Sequence, residues 1–162
     1  MMTNISLDQA RKKLAGALPV RVRWLIKNYP IDFDFSRAQD DLKPITVSDT
    51  NGFEIPQEWQ FLSLFGKRDY AEGGGAAPYL GIHRDTGQVF ALDVESEASS
   101  LSLLNSDIDK FISTFDVFDR SVRQRTLQIE QVAGLVEAID PAAFAESEWG
   151  GLRDAITSGE MP

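Results

Sequence analysis

The sequence contains no cysteine and only one histidine among its 162 residues. Without thiols the chain cannot form a disulfide framework or a thiolate metal site, and a single histidine leaves little for a zinc centre. The lack of cysteine also fits a reducing compartment. We therefore expect a protein that uses no metal and no other cofactor.

Long apolar runs are missing as well. No stretch approaches the roughly 18 consecutive apolar residues that a membrane-spanning helix needs. The first residues are polar, with Asn4, Asp8 and Arg11 among them, and they lack the apolar centre of a secretion signal. We therefore expect a cytoplasmic protein that does not associate with membranes.

Basic residues are outnumbered, 16 against 25 acidic residues, and the net charge is −9. Residues 1–30 carry +5, whereas residues 31–60 and 91–120 carry −5 each. Binding to a phosphate backbone depends on clustered Lys and Arg, so this balance argues against direct nucleic-acid binding. A basic protein partner is the better electrostatic match, and the alternative is that the acidity only keeps the protein soluble.

No motif assembles a catalytic group. His83 could act as a general base, but no motif places Ser, Cys or a paired carboxylate near it. Asp85-Thr86-Gly87 matches the aspartic-protease tripeptide, whose chemistry needs two carboxylates that share a proton, and here a turn is favoured. Gly73-Gly74-Gly75 lacks the helix start and Lys of a phosphate-binding loop, so we predict a flexible loop. We expect no enzymatic activity and no catalytic residue.

The clearest structural pattern lies between residues 78 and 118. Two short apolar runs flank Arg84-Asp85-Thr86-Gly87, which predicts a β-hairpin with Gly87 at a position that favours positive φ. A helix is predicted downstream, where apolar residues recur at helical spacing: Ile108, Phe111, Ile112, Phe115 and Phe118. We expect one domain over residues 1–162, with its core at about 45–120 and a helical extension over 121–157.

The N-terminal pattern predicts two helices. Ser6 suits the cap of the first, in which four residues share a face: Leu7, Ala10, Leu14 and Ala17. Residues 20–28 are predicted as a second, short helix with Trp24 and Leu25 buried, ended by Pro30.

An alternating pattern begins at residue 31. Ile31, Phe33 and Phe35 lie on one side, opposite Asp32 and Asp34, which predicts a two-faced strand or an extended edge segment. Residues 45–47 are a short strand candidate, and residues 49–52 contain an Asn-Gly turn signal.

The tryptophan stretch at residues 59–65 allows two interpretations. Pro56 favours a helix, whereas the apolar residues on both sides of the stretch favour a strand buried on both faces, which we prefer. Gly66 ends the element in either case, and residues 67–77 are predicted as a loop.

Helices dominate the C-terminal third. Asn105 or Ser106 is predicted to cap the helix that contains Phe111. A longer helix is predicted over residues 122–139 and another over residues 142–156.

Carboxylates cluster at three places. Asp32 and Asp34 share a strand side, Asp40 and Asp41 follow in a loop, and residues 93–97 would present three carboxylates on one face of a continuing strand. Alternating carboxylates can hold calcium, but the loop glycine and ligand spacing of a known calcium site are absent. We therefore predict contacts to a cationic partner, with seven candidates: Asp32, Asp34, Asp40, Asp41, Asp93, Glu95 and Glu97.

Residues 55–120 resemble the SUKH superfamily, which groups fungal regulators of cell-wall synthesis with bacterial immunity proteins. The resemblance lies in the order and spacing of three strings: Tyr79-Leu80-Gly81-Ile82, Asp85-Thr86-Gly87-Gln88-Val89-Phe90, and Leu104-Asn105-Ser106-Asp107 before Phe111 and Ile112. The usual N-terminal pattern is only echoed, by Leu18-Pro19, Trp24-Leu25 and Asn28, which indicates a divergent member.

This resemblance implies an α+β fold with a central, mostly antiparallel sheet flanked by helices, and with C-terminal helices. It implies no catalytic residues and an immunity protein that binds and neutralises a cognate polymorphic toxin, often a nuclease. A scaffold of the same fold that regulates another protein remains an alternative, as does a small-ligand binder or enzyme that uses His83.

Overall fold

The structure is a computed structural model that describes residues 7–26, 29–46, 48, 54–70, 79–93 and 100–141. It contains three α-helices: α1 (Leu7–Ala17), α2 (Ile108–Val122) and α3 (Ile129–Ile139). It also contains six strands: β1 (Arg21–Ile26), β2 (Tyr29–Asp34), β3 (Leu62–Tyr70), β4 (Tyr79–His83), β5 (Val89–Asp93) and β6 (Ser100–Asn105). Short 3₁₀ turns span Ser36–Gln39 and Gln57–Trp59.

The strands form one sheet in chain order, from β1 to β6, and every neighbouring pair is antiparallel. The predicted α+β class is confirmed. The predicted hairpin is also present, because β4 and β5 are joined by residues 84–88 and Gly87 has φ 77°. In this sheet β1 and β6 are the two edge strands.

One side of the sheet packs against the helices in an aromatic core. Trp24 lies 4.6 Å from Phe33 and 4.9 Å from Phe115, measured between ring centroids, and Phe65 lies 5.2 Å from Phe111. The predicted apolar face of α2 is confirmed: Ile108, Phe111, Phe115 and Phe118 are buried, and Ile112 packs against them. The aromatic rings of the strands contact the aromatic rings of α2, and these contacts fix the position of α2 on the sheet.

A second, smaller core covers part of the opposite side. Ile45 and Trp59 come from the segment between β2 and β3 and pack on Leu62, Leu64 and Leu92 of the sheet. Residues of β4, β5 and β6 line the edge of this cluster, so the segment covers the middle and the β6 side of the sheet. The β1 side of the same surface is exposed.

The helix predicted over residues 20–28 is wrong, because residues 21–26 form β1. The chain alternates there: Trp24 is fully buried, whereas Leu25 is 53% exposed rather than buried. Pro30 does not end a helix but lies in β2 opposite Leu25. β3 pairs with β2 only from Ile31 onward, so Pro30 has a strand neighbour on one side, a position that proline tolerates.

Both interpretations of residues 59–65 were partly right. Pro56 precedes a 3₁₀ turn that contains Trp59, and the strand begins at Leu62. The strand does not end at Gly66 but continues to Tyr70 after a register shift, so the loop predicted from residue 67 is wrong for residues 67–70. Glycine is required at this shift because a Cβ on Gly66 would lie 2.7 Å from Cδ1 of Phe35.

Three further predictions differ from the structure: the cap of α2, the helix over 122–139 and the strand over 45–47. α2 is capped by Asp107, whose Oδ1 accepts a 2.8 Å hydrogen bond from the backbone N–H of Lys110, and not by Asn105 or Ser106. The helix predicted over 122–139 forms only from residue 129, as α3, because Val122 is the last residue of α2 and residues 123–128 leave the helical path, with Arg125 at φ 57°. The strand predicted over 45–47 is not formed at its described residues 45 and 46; the preceding Pro44 makes a bridge with Ser63, and the backbone N–H of Ile45 donates a hydrogen bond to the carbonyl of Leu62.

The first helix is present, and Ala10 and Leu14 form its buried face, although Ala17 is exposed. Several predictions lie outside the described residues: the Ser6 cap, the turn at residues 49–52, the loop at residues 73–75 and the helix at residues 142–156.

Candidate partner-binding surface

The β1 side of the sheet presents charged side chains away from the helices. Alternation puts Trp24 and Phe33 in the aromatic core, so their strand neighbours point to the opposite side. We call this surface the open face; its members are Arg21, Arg23 and Leu25 of β1, Asp32 and Asp34 of β2, and Lys67 of β3. No described element covers these residues, and all of them except Leu25 line a groove of about 400 Å³.

Two cross-strand charge rows organise the open face. In the first, Arg23 donates two hydrogen bonds to the carboxylate of Asp32, 2.6 Å from Nε to Oδ1 and 2.9 Å from Nη2 to Oδ2. In the second, Arg21, Asp34 and Lys67 are opposite one another on three adjacent strands. Nε of Arg21 lies 3.5 Å from Oδ2 of Asp34, while Oδ1 of Asp34 accepts a 2.8 Å hydrogen bond from the backbone N–H of Ser36.

These contacts keep both carboxylates ionised. Hydrogen bonds from Arg23 lower the pKa of Asp32 more than its burial raises it. Burial alone would raise the pKa of Asp34, but the hydrogen bonds from Ser36 and the charge of Arg21 outweigh that effect and lower it. The open face therefore has fixed charges of both signs at neutral pH.

Asp40 and Asp41 line a second groove, of about 280 Å³, together with Arg37, Lys43 and other residues that include Leu64 of β3. Leu64 belongs to the second, smaller core, whereas Ala38 and Leu42, which flank Asp40 and Asp41 in the chain, are buried in the aromatic core on the helix side. Asp40 and Asp41 are exposed, and neither forms an ion pair with another described residue. They offer carboxylates that internal cations do not already hold.

Two of the seven predicted contact residues, Asp32 and Asp34, thus lie on the open face, and Asp40 and Asp41 lie beside the second groove. Asp93 is the last residue of β5, two strands away from β3. Glu95 and Glu97 lie outside the described residues.

Charges of opposite sign accompany these acidic residues. The described ranges contain 14 of the 16 basic residues but only 17 of the 25 acidic residues. Most of the acidic surplus therefore belongs to other parts of the chain, and the two grooves combine carboxylates with Arg and Lys.

Four members of the open face were not predicted as site residues: Arg21, Arg23, Leu25 and Lys67. The signal for the arginines was present, because Arg21 and Arg23 are spaced by two residues, as are Asp32 and Asp34 across the pair. It was missed because residues 20–28 were interpreted as a helix, in which these side chains would not form a row.

His83 has a structural role in the hairpin. Its Nδ1 accepts hydrogen bonds from the backbone N–H groups of Asp85 and Thr86, at 3.1 and 3.2 Å. Nδ1 is therefore already engaged as an acceptor within the turn. The ring also stacks on Phe61, with centroids 5.7 Å apart. This arrangement suits a turn anchor rather than a general base.

Two features are absent from the described ranges. No group of three or more His, Asp or Glu side chains is arranged to hold a metal ion. None of the described helices combines the length and the apolar character that crossing a membrane would need.

An all-antiparallel six-stranded sheet with helices on one side and a charged open face defines an α+β fold. The model of the SUKH-4 immunity protein family matches residues 18–154, and the chain belongs to this family. Membership implies a role in neutralising a cognate toxin, and proteins of this kind are generally not enzymes. No curated protein and no solved structure gave a significant match to the chain.

Proposed function

We propose that the protein neutralises a basic toxin, of the nuclease type, by binding it through an acidic contact surface. The contact residues are those predicted from the sequence: Asp32, Asp34, Asp40, Asp41, Asp93, Glu95 and Glu97. We also propose that the chain acts as one domain in the cytoplasm, a compartment that suits its lack of cysteine.

The main support for this proposal is the exposure of Asp40 and Asp41 and their lack of ion pairs with described residues. Both are exposed beside a groove, and neither has an ion pair among the described residues. A partner cation can therefore bind them without first displacing an internal one. Asp32 and Asp34 already have arginine partners, so we expect them to contribute shape and orientation more than new ion pairs.

The acidic balance of the whole chain supports the same partner. A nuclease must attract phosphate groups, and it does so with a cationic cleft. A protein with a net charge of −9 is attracted to such a cleft before contact, and complementary charge raises the association rate more than it raises affinity. Carboxylates seated in that cleft would occupy the positions of the substrate phosphates.

The proposal can be tested with the product of the adjacent gene, taken as the candidate toxin. Co-expression should restore growth of cells that produce the toxin, and a tagged form of the chain should retain the toxin in a pull-down. The double variant Asp40→Lys/Asp41→Lys should weaken rescue and slow association. A matched control, Glu130→Lys/Glu137→Lys, makes the same charge change at two exposed positions of α3.

The outcomes separate the parts of the proposal. Rescue by the parent and the α3 control, but not by the Asp40/Asp41 variant, supports the acidic contact surface. Equal loss in both double variants would mean that only net charge matters. If the parent neither rescues growth nor retains the toxin, the partner is wrong.

A further inference from the structure

We infer that Lys67 is a specificity-determining residue of the open face, which accepts only a toxin segment that places a carboxylate over its ammonium group. This inference rests on the proposed function, because it names a chemical requirement that the bound toxin must meet. At the acidic contacts the chain offers carboxylates to cations of the toxin, whereas at Lys67 it offers a cation to a carboxylate of the toxin.

Arg21, Asp34 and Lys67 form a row of two cations and one anion across three strands. The carboxylate of Asp34 is the only anion in the row, and it is already engaged by Ser36 and Arg21. Lys67 is opposite Asp34 in the strand register but does not form an ion pair with it or with another described residue. The row therefore has one positive charge in excess.

Lys67 lies where a bound partner would cover its positive charge. Lys67 is exposed and lines the groove of the open face, and its strand neighbour Leu64 lines the groove that contains Asp40 and Asp41. A partner that enters the groove of the open face therefore covers Lys67. Covering an ammonium group removes its water, and the cost is large unless an opposite charge replaces that water.

The occupant that fits is a toxin loop or strand with one carboxylate among its basic residues. The carboxylate would bind Lys67, with Arg21 as a second donor because its side chain is 74% exposed. Leu25, 53% exposed at the outer edge of the same face, adds an apolar contact. A toxin without the carboxylate would leave Lys67 covered and unpaired, so this position rejects basic proteins that net charge alone would attract.

Binding should be measured by titration calorimetry with a catalytically inactive form of the adjacent-gene toxin. We expect Lys67→Glu to weaken binding by about 10- to 100-fold, because a like charge would face the toxin carboxylate. The control Lys12→Glu changes an exposed lysine of α1 and should alter Kd by less than about 2-fold. Circular dichroism and thermal unfolding would show that both variants fold.

Carbodiimide cross-linking supplies a readout that a merely structural lysine would not give. The reagent activates a carboxyl group, which the Lys67 amine attacks to form an amide bond. Mass spectrometry of the complex should find Lys67 joined to one toxin Asp or Glu. Reversing that toxin residue to Lys should restore the binding of the Lys67→Glu variant.

The results distinguish this inference from the proposed function. If the parent does not bind the toxin, the proposed function fails and this inference fails with it. If the parent binds, but Lys67→Glu behaves like Lys12→Glu and no Lys67 cross-link forms, then only the inference about Lys67 is overturned.

Discussion

The indole Nε1 of Trp24, on edge strand β1, donates a 2.9 Å hydrogen bond to Oδ1 of Asp119, which is 95 residues later on α2. Asp119 is only 6% exposed and also accepts hydrogen bonds from the side chains of Arg123 and Gln124. This cluster joins the strand that presents Arg21 and Arg23 to the helix behind it. The open face is therefore held in place from the far side of the sheet.

Replacing Trp24 with Phe should destabilise the fold by about 1–3 kcal/mol, because a buried charge loses one of its donors. Asp119→Asn should destabilise it too, and the double variant should cost less than the sum of the two. Urea unfolding of the four proteins measures this coupling. Strictly additive losses would show that the indole and the carboxylate do not interact.

Stability should fall in acid, below about pH 4. Burial raises the pKa of Asp119, but the hydrogen bonds from Arg123, Gln124 and Trp24 lower it by more than burial raises it. The pKa therefore lies below its usual value of 3.8. A lowered pKa means that the stabilisation is present above pH 3.8 and is lost as the pH falls through the lower, folded-state value. Asp32 and Asp34 contribute with the same sign, but less, because they are more exposed.

The free energy of unfolding, measured from pH 7 to pH 3, tests this expectation. Asp119→Asn should flatten the acid limb of the curve relative to the parent. An unchanged slope in this variant would contradict the assignment of the acid loss to Asp119.

Asp140 connects the end of α3 to the start of α2. Its carboxylate accepts hydrogen bonds from the backbone N–H and the hydroxyl of Ser106, both at 2.7 Å, and from Nδ2 of Asn105 at 3.2 Å. Asp140→Ala would remove these contacts from a site that is 1% exposed, and we expect a loss of about 1–3 kcal/mol. Glu137→Ala, at an exposed position of α3, should change stability by less than about 0.5 kcal/mol.

Thermal and urea unfolding of these two variants would test the role of Asp140. Similar stabilities would mean that Asn105 and Ser106 find other partners without cost.

Gly66 and Gly134 should respond in opposite directions to alanine. A Cβ at Gly66 would lie 2.7 Å from Cδ1 of Phe35 and 3.1 Å from the carbonyl oxygen of Asp34, so Gly66→Ala should cost about 1–3 kcal/mol. Nothing lies within 4 Å of a Cβ at Gly134, which is exposed within α3, so Gly134→Ala should stabilise the protein by about 0.5–1 kcal/mol. Urea midpoints compare them directly, and a neutral Gly66→Ala would show that Phe35 moves away freely.

Elements set by local pattern could be predicted from the sequence. The hairpin depends on a turn at Gly87 and two apolar runs, and α2 depends on five apolar residues at helical spacing; both signals lie within short segments. β1 could not be predicted in this way, because its identity depends on the placement of Trp24 between Phe33 and α2. The cap of α2 was misplaced because Asn105 and Ser106 are used by Asp140, a contact between distant residues.

The same limit applies to the candidate surface. Charge patterns along the chain identified Asp32, Asp34, Asp40 and Asp41, and the fold places the first two on the open face and the other two beside the second groove. Their different environments could not be predicted, since Arg21 and Arg23 reach Asp34 and Asp32 only when β1 pairs with β2. The excess charge of Lys67 could not be predicted either, because residue 67 was interpreted as part of a loop.

Stoichiometric binding without chemistry is the central claim, and titration of the toxin's activity tests it most directly. Increasing amounts of the chain should reduce the activity linearly and abolish it at one equivalent. The toxin released by denaturation should have its original mass. Inactivation of many toxin molecules by one molecule of the chain, or a covalent change in the toxin, would contradict the account.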